Sequence, residues 1–302
     1  MIAVDWGTTH LRIYRLDADG TMHKRVRSGQ GTLASRGRFG EVLRHELAGW
    51  DDGPVLLCGM VGARGGWHEM PYLDCPAGID DLAHGMRRVQ PPDFADRELW
   101  FVPGLRDAGV SAVPDVMRGE ETQLAALLDT LPRGTHQVCL PGTHSKWVTI
   151  GERRVQRIRS FMTGELYALL RGHSILGALM DDDDSRFDAD AFDAGLRRSG
   201  DAGGLAHQLF GVRTTGLSGR FGSQALSSYL SGLLVGHELH GGLADGAVRP
   251  GLVHLVGSER LVDLYARGLA ASGVAVQRHS EDLAAHGLHA LWERRLPLAA
   301  SV

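Results

Sequence analysis

Apolar and polar positions in the first thirty residues follow the period of short strands. Ile2–Val4 is an apolar run. Leu11–Leu16 sets Leu11, Ile13, Tyr14 and Leu16 against Arg12 and Arg15, and Thr21–Arg27 returns beside it. Trp6-Gly-Thr-Thr9 and Asp17-Ala-Asp-Gly20 read as the connecting turns. Three strands joined by links this short are antiparallel neighbours.

The same grammar returns later. Gln137–Leu140 is an apolar strand, Pro141-Gly-Thr-His144 a tight loop, and Lys146–Ile150 an alternating strand. Gly151-Glu-Arg-Arg154 is a turn, and Val155–Ser160 is the third strand. Placing Gly7-Thr8 on Gly142-Thr143 gives a spacing of 135 residues in a chain of 302, close to half its length. Self-similarity at a fixed spacing signals a repeated structural unit. It predicts two related domains, each opening with a hairpin tipped by a Gly-Thr loop.

Other elements follow from periodicity. Val55–Gly59 and Trp100–Val102 read as strands, and Glu121–Leu131 as a helix with apolar residues at 124, 127, 128 and 131. Gly164–Leu170 starts a helix with Glu165 in its first turn, where a carboxylate suits the helix dipole. Ser223–His240 is a long helix whose Ser227, Ser231, Gly232 and Gly236 would allow close packing. Leu252–Val256 is a strand broken by Gly257-Ser258, followed by a helix to about Ala271, and a last helix runs from Ser280 or Glu281 through Arg295. Strands followed by helices in each half imply mixed α/β domains. The boundary is expected near residue 132, with 1–132 as the N-terminal domain and 133–302 as the C-terminal one.

Composition narrows the function classes. Hydrophobic residues make up 43% and the net charge is −4, so the chain is neither disordered nor a general binder of nucleic-acid backbone. No run of about 18 apolar residues occurs and no signal peptide is visible, so no membrane association is expected. Cys58, Cys75 and Cys139 are widely spaced and lack a C-x-x-C, which fits a reducing cytoplasm and no zinc site. Asp181–Asp184 reads as a solvated loop or helix start rather than a metal cluster. The basic residues comprise thirty arginines and two lysines, Lys24 and Lys146.

Asp5 stands at the end of a buried strand beside the Gly-Thr-Thr turn. A carboxylate there can hold Mg²⁺ through water. Gly7 admits close approach of an anion, and Thr8 and Thr9 can point amides and hydroxyls at phosphate oxygens. PGTHSKW offers Gly142, Thr143, His144 and Ser145 in the same arrangement, and Lys146 adds a point charge. Together the loops could grip a polyphosphate without a P-loop.

Such paired hairpins resemble the actin–hexokinase–sugar kinase superfamily. VDWGTTHLR, GMVGARGGWHEMPY, DVMRGEETQ and LPGTHSKW, followed by FMTGELYALL and YLSGLL, are similar to 2-dehydro-3-deoxygalactonokinases over nearly the whole chain. The resemblance implies two ribonuclease-H-like α/β domains of the actin–hexokinase class with an active-site cleft between them. It also implies ATP and Mg²⁺, and transfer of the γ-phosphoryl group to the terminal (6-) hydroxyl of 2-dehydro-3-deoxy-D-galactonate in galactonate and galactose catabolism. Where the superfamily's second phosphate loop commonly carries an aspartate, Leu140-Pro141 stands here, so Asp5 is the expected metal-facing carboxylate. Ala63 and Gly65 replace a serine and a glutamine more usual in the family.

By the same resemblance the catalytic carboxylate lies about twenty residues ahead of the second loop. That favours Glu120, with Glu121 and Asp115 behind it. Arg64 or Arg118 would bind the acid's carboxylate, Trp67 would stack on the carbon chain, and Glu69 would accept from hydroxyls. Gly257 and Ser258 would admit adenine. Partners are therefore the sugar acid and ATP; a homodimer is compatible with this reading, and the sequence leaves the oligomeric state open. A kinase for another sugar acid or sugar, a phosphatase of the same superfamily and a non-catalytic sugar sensor are the alternatives.

Overall fold

The computed structural model describes residues 1–50, 53–94, 97–109, 113–183, 186–244 and 251–295. In chain order the elements are β1 (Ile2–Trp6), β2 (Leu11–Leu16), β3 (Met22–Ser28), α1 (Phe39–Glu46), β4 (Val55–Gly59), β5 (Tyr72–Asp74), β6 (Ala77–Gly78), α2 (Ile79–Gly85), β7 (Arg87–Val89), β8 (Leu99–Phe101), β9 (Gly104–Asp107), β10 (Asp115–Met117) and α3 (Glu120–Thr130). After them come β11 (Thr135–Leu140), β12 (Ser145–Gly151), β13 (Arg154–Phe161), α4 (Thr163–His173), α5 (Ala189–Ser199), α6 (Gly204–Leu217), α7 (Ser223–Leu243), β14 (Leu252–Gly257), α8 (Glu259–Ala271), β15 (Ala275–Ser280) and α9 (Leu283–Arg294).

The first meander forms as its alternation requires. β1 pairs antiparallel with β2, and β2 with β3, while β1 also pairs parallel with β4 and β4 with β8. The order is β3-β2-β1-β4-β8, closed by β7. The second meander sits in a sheet ordered β13-β12-β11-β14-β15, with β6 added beyond β13 and with β11–β14 and β14–β15 parallel. From β13 to β15 this is the first order again. The 135-residue repeat is thus a repeat of topology: three strands from the meander, then two more beside the first of them.

Contacts divide the chain into two compact units. One is Met1–Thr135 with Val148–Ile158 and Glu281–Val302; the other is His136–Trp147 with Arg159–Ser280. This division differs from a single cut at residue 132 in two places. The tip of the β12–β13 hairpin groups with the first unit because the Glu152 N–H donates to the Gly134 carbonyl, Arg153 Nε to the Leu131 carbonyl, and the Ile158 N–H to Asp107. The last helix, α9, joins that unit because it packs on α3, where a Cβ at Gly287 would lie 1.7 Å from the Thr122 carbonyl oxygen.

Each unit has its own core. In the first, Ile2, Val4, Trp6, Leu11 and Ile13 pack with Phe39, Leu43, Leu57 and Phe101. In the second, Cys139, Trp147, Val253 and Leu255 pack with Val262, Tyr265 and Leu269. A satellite core joins Leu230, Leu233 and Leu234 of α7 to Ala191 and Val212. Asp184 of the four-aspartate run lies outside the described residues, and Asp181 and Asp182 supply backbone carbonyls to Arg171. Among the described residues no helix is long and apolar enough to cross a membrane.

Three histidines meet on the second sheet. His254 is buried; its Nδ1 lies 3.0 Å from Nε2 of His279, and the His136 ring centroid is 5.6 Å away. Its Nε2 has no partner among the described residues. Burial first, then His279 and His136, pushes its pKa down to about 4. The folded state therefore holds fewer protons than the unfolded chain between the ordinary histidine value and that one, so stability falls as pH drops through this window. We predict that His254 costs as much as about 3 kcal/mol across the window. Urea denaturation of wild type and His254→Gln at neutral pH and at about pH 4.5 checks it: the variant's stability should fall less steeply, and equal slopes would refute the assignment.

Candidate active site

In the first unit, the candidate carboxylates converge because two glycines let the backbone close up. Gly59, ending β4, has φ +91°, and a Cβ there would sit 2.8 Å from the Trp6 carbonyl oxygen and 3.4 Å from Oδ1 of Asp5. Gly119, just before α3, has φ +112°, and a Cβ there would lie 3.2 Å from Cα of Gly59. L side chains rarely adopt such φ values. The end of β1, the end of β4 and the start of α3 thus meet at one place, with Asp5, Arg118, Glu120 and Glu121 around it.

Asp5 is largely buried, and burial raises its pKa against the pull of Arg12. Arg12 Nη1 donates to Oδ2 of Asp5 at 3.0 Å, and Nη2 donates to Glu281 at 2.8 Å. Cys58 lies under both Asp5 and Glu121: burial, then these two carboxylates, pushes its thiol up. The first loop is short and exposed. The Gly7 N–H donates to the His10 carbonyl, Thr8 and Thr9 face solvent, and the amides of Thr32 and Leu33 pin the carbonyls of Gly7 and Thr8.

The three candidate acids separate. Asp115 begins β10, where its Oδ1 accepts from the Val116 N–H. Glu120 is half-buried at the first position of α3, and its Oε2 accepts from the Arg118 N–H at 3.2 Å. Glu121 is fully buried. Its Oε2 accepts from the Gly119 N–H at 2.6 Å, while Oε1 has no partner among the described residues. Burial, then the neighbouring Glu120 carboxylate, pushes the Glu121 pKa up to about 8.

The two arginine candidates separate as well. Arg64 is exposed, as is Glu69. Arg118 is nine-tenths buried, stacked over the Tyr72 ring at 4.3 Å, with Nη2 donating to the Met70 carbonyl at 2.7 Å. Its Nε and Nη1 have no partner among the described residues. The glycine-rich loop shapes this site at Gly62, where a Cβ would meet Nη1 of Arg118 at 3.2 Å. Trp67 is taken up by the core: it stacks on Phe39, meets Trp6, Phe94 and Phe101 edge-on, and donates Nε1–H to Asp93. What remains of it borders a separate cavity of about 560 Å³ beside Arg36 and Asp93.

In the second unit, Gly142, Thr143 and His144 form the exposed part of the loop, and His144 pairs with Glu165. The start of α4 lies against it: a Cβ on Gly164 would stand 2.4 Å from the Gly142 carbonyl oxygen. Ser145 and Lys146 turn inward. Ser145 is fully buried, and Lys146 Nζ donates to Ser160 Oγ. Gly257 ends β14 beside Pro141, and Ser258 precedes α8.

Next to these residues opens a cavity of about 1080 Å³, bordered by Gly142, Thr163, Phe187, Ser227, Ser231 and Glu259. Its size suits a ligand at the large end of small molecules. Ser227 and Ser231, expected from sequence as packing residues, border this cavity together with Ser228. Their spacing of four is the available signal that one polar face of α7 borders a cavity. Among the described residues no group of three or more metal-ligating side chains is assembled.

Comparison with known proteins gives matches over nearly the whole chain. The family model for 2-keto-3-deoxy-galactonokinase matches residues 5–291. A protein of Rhizobium meliloti strain 1021, named a probable 2-dehydro-3-deoxygalactonokinase, is 38% identical over 286 residues, 93% of this chain and 92% of its own length. The 2-dehydro-3-deoxygalactonokinase of Escherichia coli K12 is 33% identical, with 94% of each chain covered. A crystal structure of a candidate 2-dehydro-3-deoxygalactonokinase from Sinorhizobium meliloti superposes with a TM-score of 0.87 at 36% identity, over 97% of this chain and 98% of the other. The ADPNP-bound activator of 2-hydroxyisocaproyl-CoA dehydratase from Clostridium difficile superposes at 0.53 with 12% identity, over 97% of this chain and 95% of its own, a likeness of fold alone. The fold is an α/β architecture with mixed sheets, shared with these structures.

The buried Glu121 yields a prediction of its own. Its folded pKa lies above the unfolded value, so its contribution to stability is full below the ordinary carboxylate range and is lost as pH rises through about 8. Glu121→Gln keeps the shape and an acceptor for Gly119. We predict that the variant gains stability over wild type, by a few kcal/mol at most, as pH rises from about 5 to about 8. Thermal melts across that range check it; a constant difference between the two proteins would count against it.

Proposed function

The chain belongs to the 2-keto-3-deoxy-galactonokinase family and is a carbohydrate kinase, and from that premise we propose that it transfers the γ-phosphoryl group of ATP to the 6-hydroxyl of 2-dehydro-3-deoxy-D-galactonate, a step of galactonate and galactose catabolism. The observation that carries the acid specificity is Arg118. A guanidinium nine-tenths buried, with Nε and Nη1 unpartnered among the described residues, has given up hydration at those two nitrogens without gaining a hydrogen-bond partner. A planar carboxylate would satisfy both nitrogens at once. A neutral sugar would leave the cost standing.

The other roles follow from placement. Glu120 is the proposed base. It is partly exposed, unlike Glu121, whose raised pKa favours a protonated carboxyl near neutral pH. Accepting a proton from the attacking hydroxyl typically contributes about 10²- to 10⁴-fold in rate. Thr8 and Thr9 in one loop and Gly142, Thr143 and His144 in the other are the proposed phosphate contacts, and the large cavity beside Gly142 is the proposed nucleoside site. Gly257 and Ser258, proposed to admit adenine, directly precede Glu259, which borders it.

The donor set suits Mg²⁺ arriving on the triphosphate. Asp5 has one oxygen tied to Arg12 and the other beside Gly59, and Mg²⁺ needs only one or two carboxylates besides water and phosphate. Bound there, the ion would neutralise charge on the transferring phosphoryl group. Asp5 would hold it through water, and Arg12 would keep the Asp5 carboxylate in place.

A coupled ADP-release assay over 2-keto-3-deoxy sugar acids and neutral sugars tests the reading. Turnover on glucose or glycerol and on no acid would refute it. Glu120→Gln should lower kcat by roughly 100-fold or more with the KM for the acid little changed. Near-normal turnover would pass the role to Asp115 or Glu121. Arg118→Gln should raise the KM for the acid by roughly 30- to 1,000-fold, the loss expected for a charge-assisted pair. Its melting temperature without ligand should fall little, because Nε and Nη1 lose no hydrogen bond when the guanidinium is removed.

A further inference from the structure

Glu238, on α7, is almost wholly buried, a position that ordinarily raises the free energy of a carboxylate by several kcal/mol unless it is paired. The structure surrounds it with donors instead of a cation. Tyr265 Oη donates to Oε2 at 2.5 Å and Trp147 Nε1 donates to Oε1 at 2.9 Å. Burial pushes its pKa up, and hydrogen bonds from Thr163, Tyr265, Trp147 and Ser145 oppose that. These donors come from α4, β12 and α8, so one side chain of α7 ties three elements together. A Cβ on Gly242, one turn further along α7, would lie 2.3 Å from the Trp147 ring, so the helix lies flat on the indole.

The network reaches the second phosphate loop by a definite route. Tyr265 gives its proton to Glu238. Ser145 Oγ lies 2.9 Å from Tyr265 Oη, so its own proton points to that oxygen or to the carboxylate. Either way a Ser145 lone pair is left for the Gly142 N–H, 3.4 Å away. In the first loop the corresponding amide, on Gly7, is held by a backbone carbonyl, that of His10. The second loop has replaced that carbonyl by a hydroxyl whose direction is set from the core. The large cavity is bordered by Gly142, Thr163 and Tyr265, three of the groups this network fixes.

We propose that Glu238 is a positioning residue for nucleotide phosphates, holding Ser145 and Tyr265 so that the Gly142–His144 loop is preformed. The proposal rests on the reading of the adjacent cavity as the nucleotide site. Pre-organised donors bind phosphate without an ordering cost at the moment of binding. Glu238 itself need touch no substrate.

The test compares ligands with and without phosphates. Glu238→Gln puts an amide N–H where an acceptor is required. Tyr265→Phe cuts the relay with little loss of packing, and serves where the first variant does not fold. Titration calorimetry of each folded variant with ATP and with adenosine, together with KM values for ATP and for the sugar acid, reads the effect. We expect ATP to bind roughly tenfold more weakly while adenosine affinity and the KM for the acid stay within about twofold. Unchanged ATP affinity, or an equal loss for ATP and adenosine, would overturn the positioning role, because the latter is what a merely deformed cavity gives. Wild-type protein that turned over the acid with ATP but bound adenosine no better with the cavity intact than with Ser231→Trp would refute the cavity as nucleoside site, and the proposal with it.

Discussion

Close backbone approach at Gly59 and Gly119 is the constraint on which the first unit's chemistry depends. Both residues hold φ values that exclude ordinary side chains, and each brings its own peptide against another segment. Without them the ends of β1 and β4 could not share space with the start of α3. Asp5, Arg118, Glu120 and Glu121 would then be scattered over the ends of three elements. A Cβ at Gly59 would press on the Trp6 carbonyl, in the strand that carries Asp5, so a steric change there propagates directly to the Asp5 carboxylate.

Saturation, not burial, separates the two buried ionisable groups proposed to meet a ligand and to hold a loop. Arg118 and Glu238 are both at least nine-tenths buried. Glu238 has both carboxylate oxygens engaged by donors from neighbouring elements, so its charge is already solvated by the protein. Arg118 has one carbonyl and an aromatic face, with two nitrogens left over among the described residues. A saturated buried charge holds structure together; an unsaturated one has an interaction still to make. Glu121 falls between them, with one oxygen engaged and one not. Its raised pKa removes most of the penalty by keeping the group neutral.

The sequence made the fold legible where local patterning decided it. The two meanders, the strand Val55–Gly59 and the helices near 121, 164, 223 and 259 stand within a few residues of where periodicity puts them. β15 was not legible: Ala275–Ser280 alternates only weakly and exposes most of its residues, so it reads as an approach to the last helix. The grouping of α9 with the first unit was out of reach too, because it rests on a contact between Gly287 and Thr122, residues 165 positions apart. Among the candidate site residues, exposure divided what sequence alone could not. Arg64 and Arg118 both stand near glycines, yet only one is buried. Trp67 looked available for stacking, and four aromatic neighbours now account for it.

The two Gly-Thr loops show why a repeat in sequence does not imply equal physics at equal positions. Gly7 and Gly142 are 135 residues apart and begin the same turn. The first turn closes on its own backbone, through the His10 carbonyl, so its shape depends on chain geometry alone. The second closes on the Ser145 hydroxyl, whose position corresponds to His10 and whose orientation is set by Tyr265 and Glu238. The two meanders share a strand order, and the difference in closure makes one loop autonomous and the other answerable to the core behind it. A substitution at position 10 leaves the first loop's acceptor in place, since any residue supplies a carbonyl. The same substitution at position 145 removes the acceptor and disconnects the loop from α7 and α8.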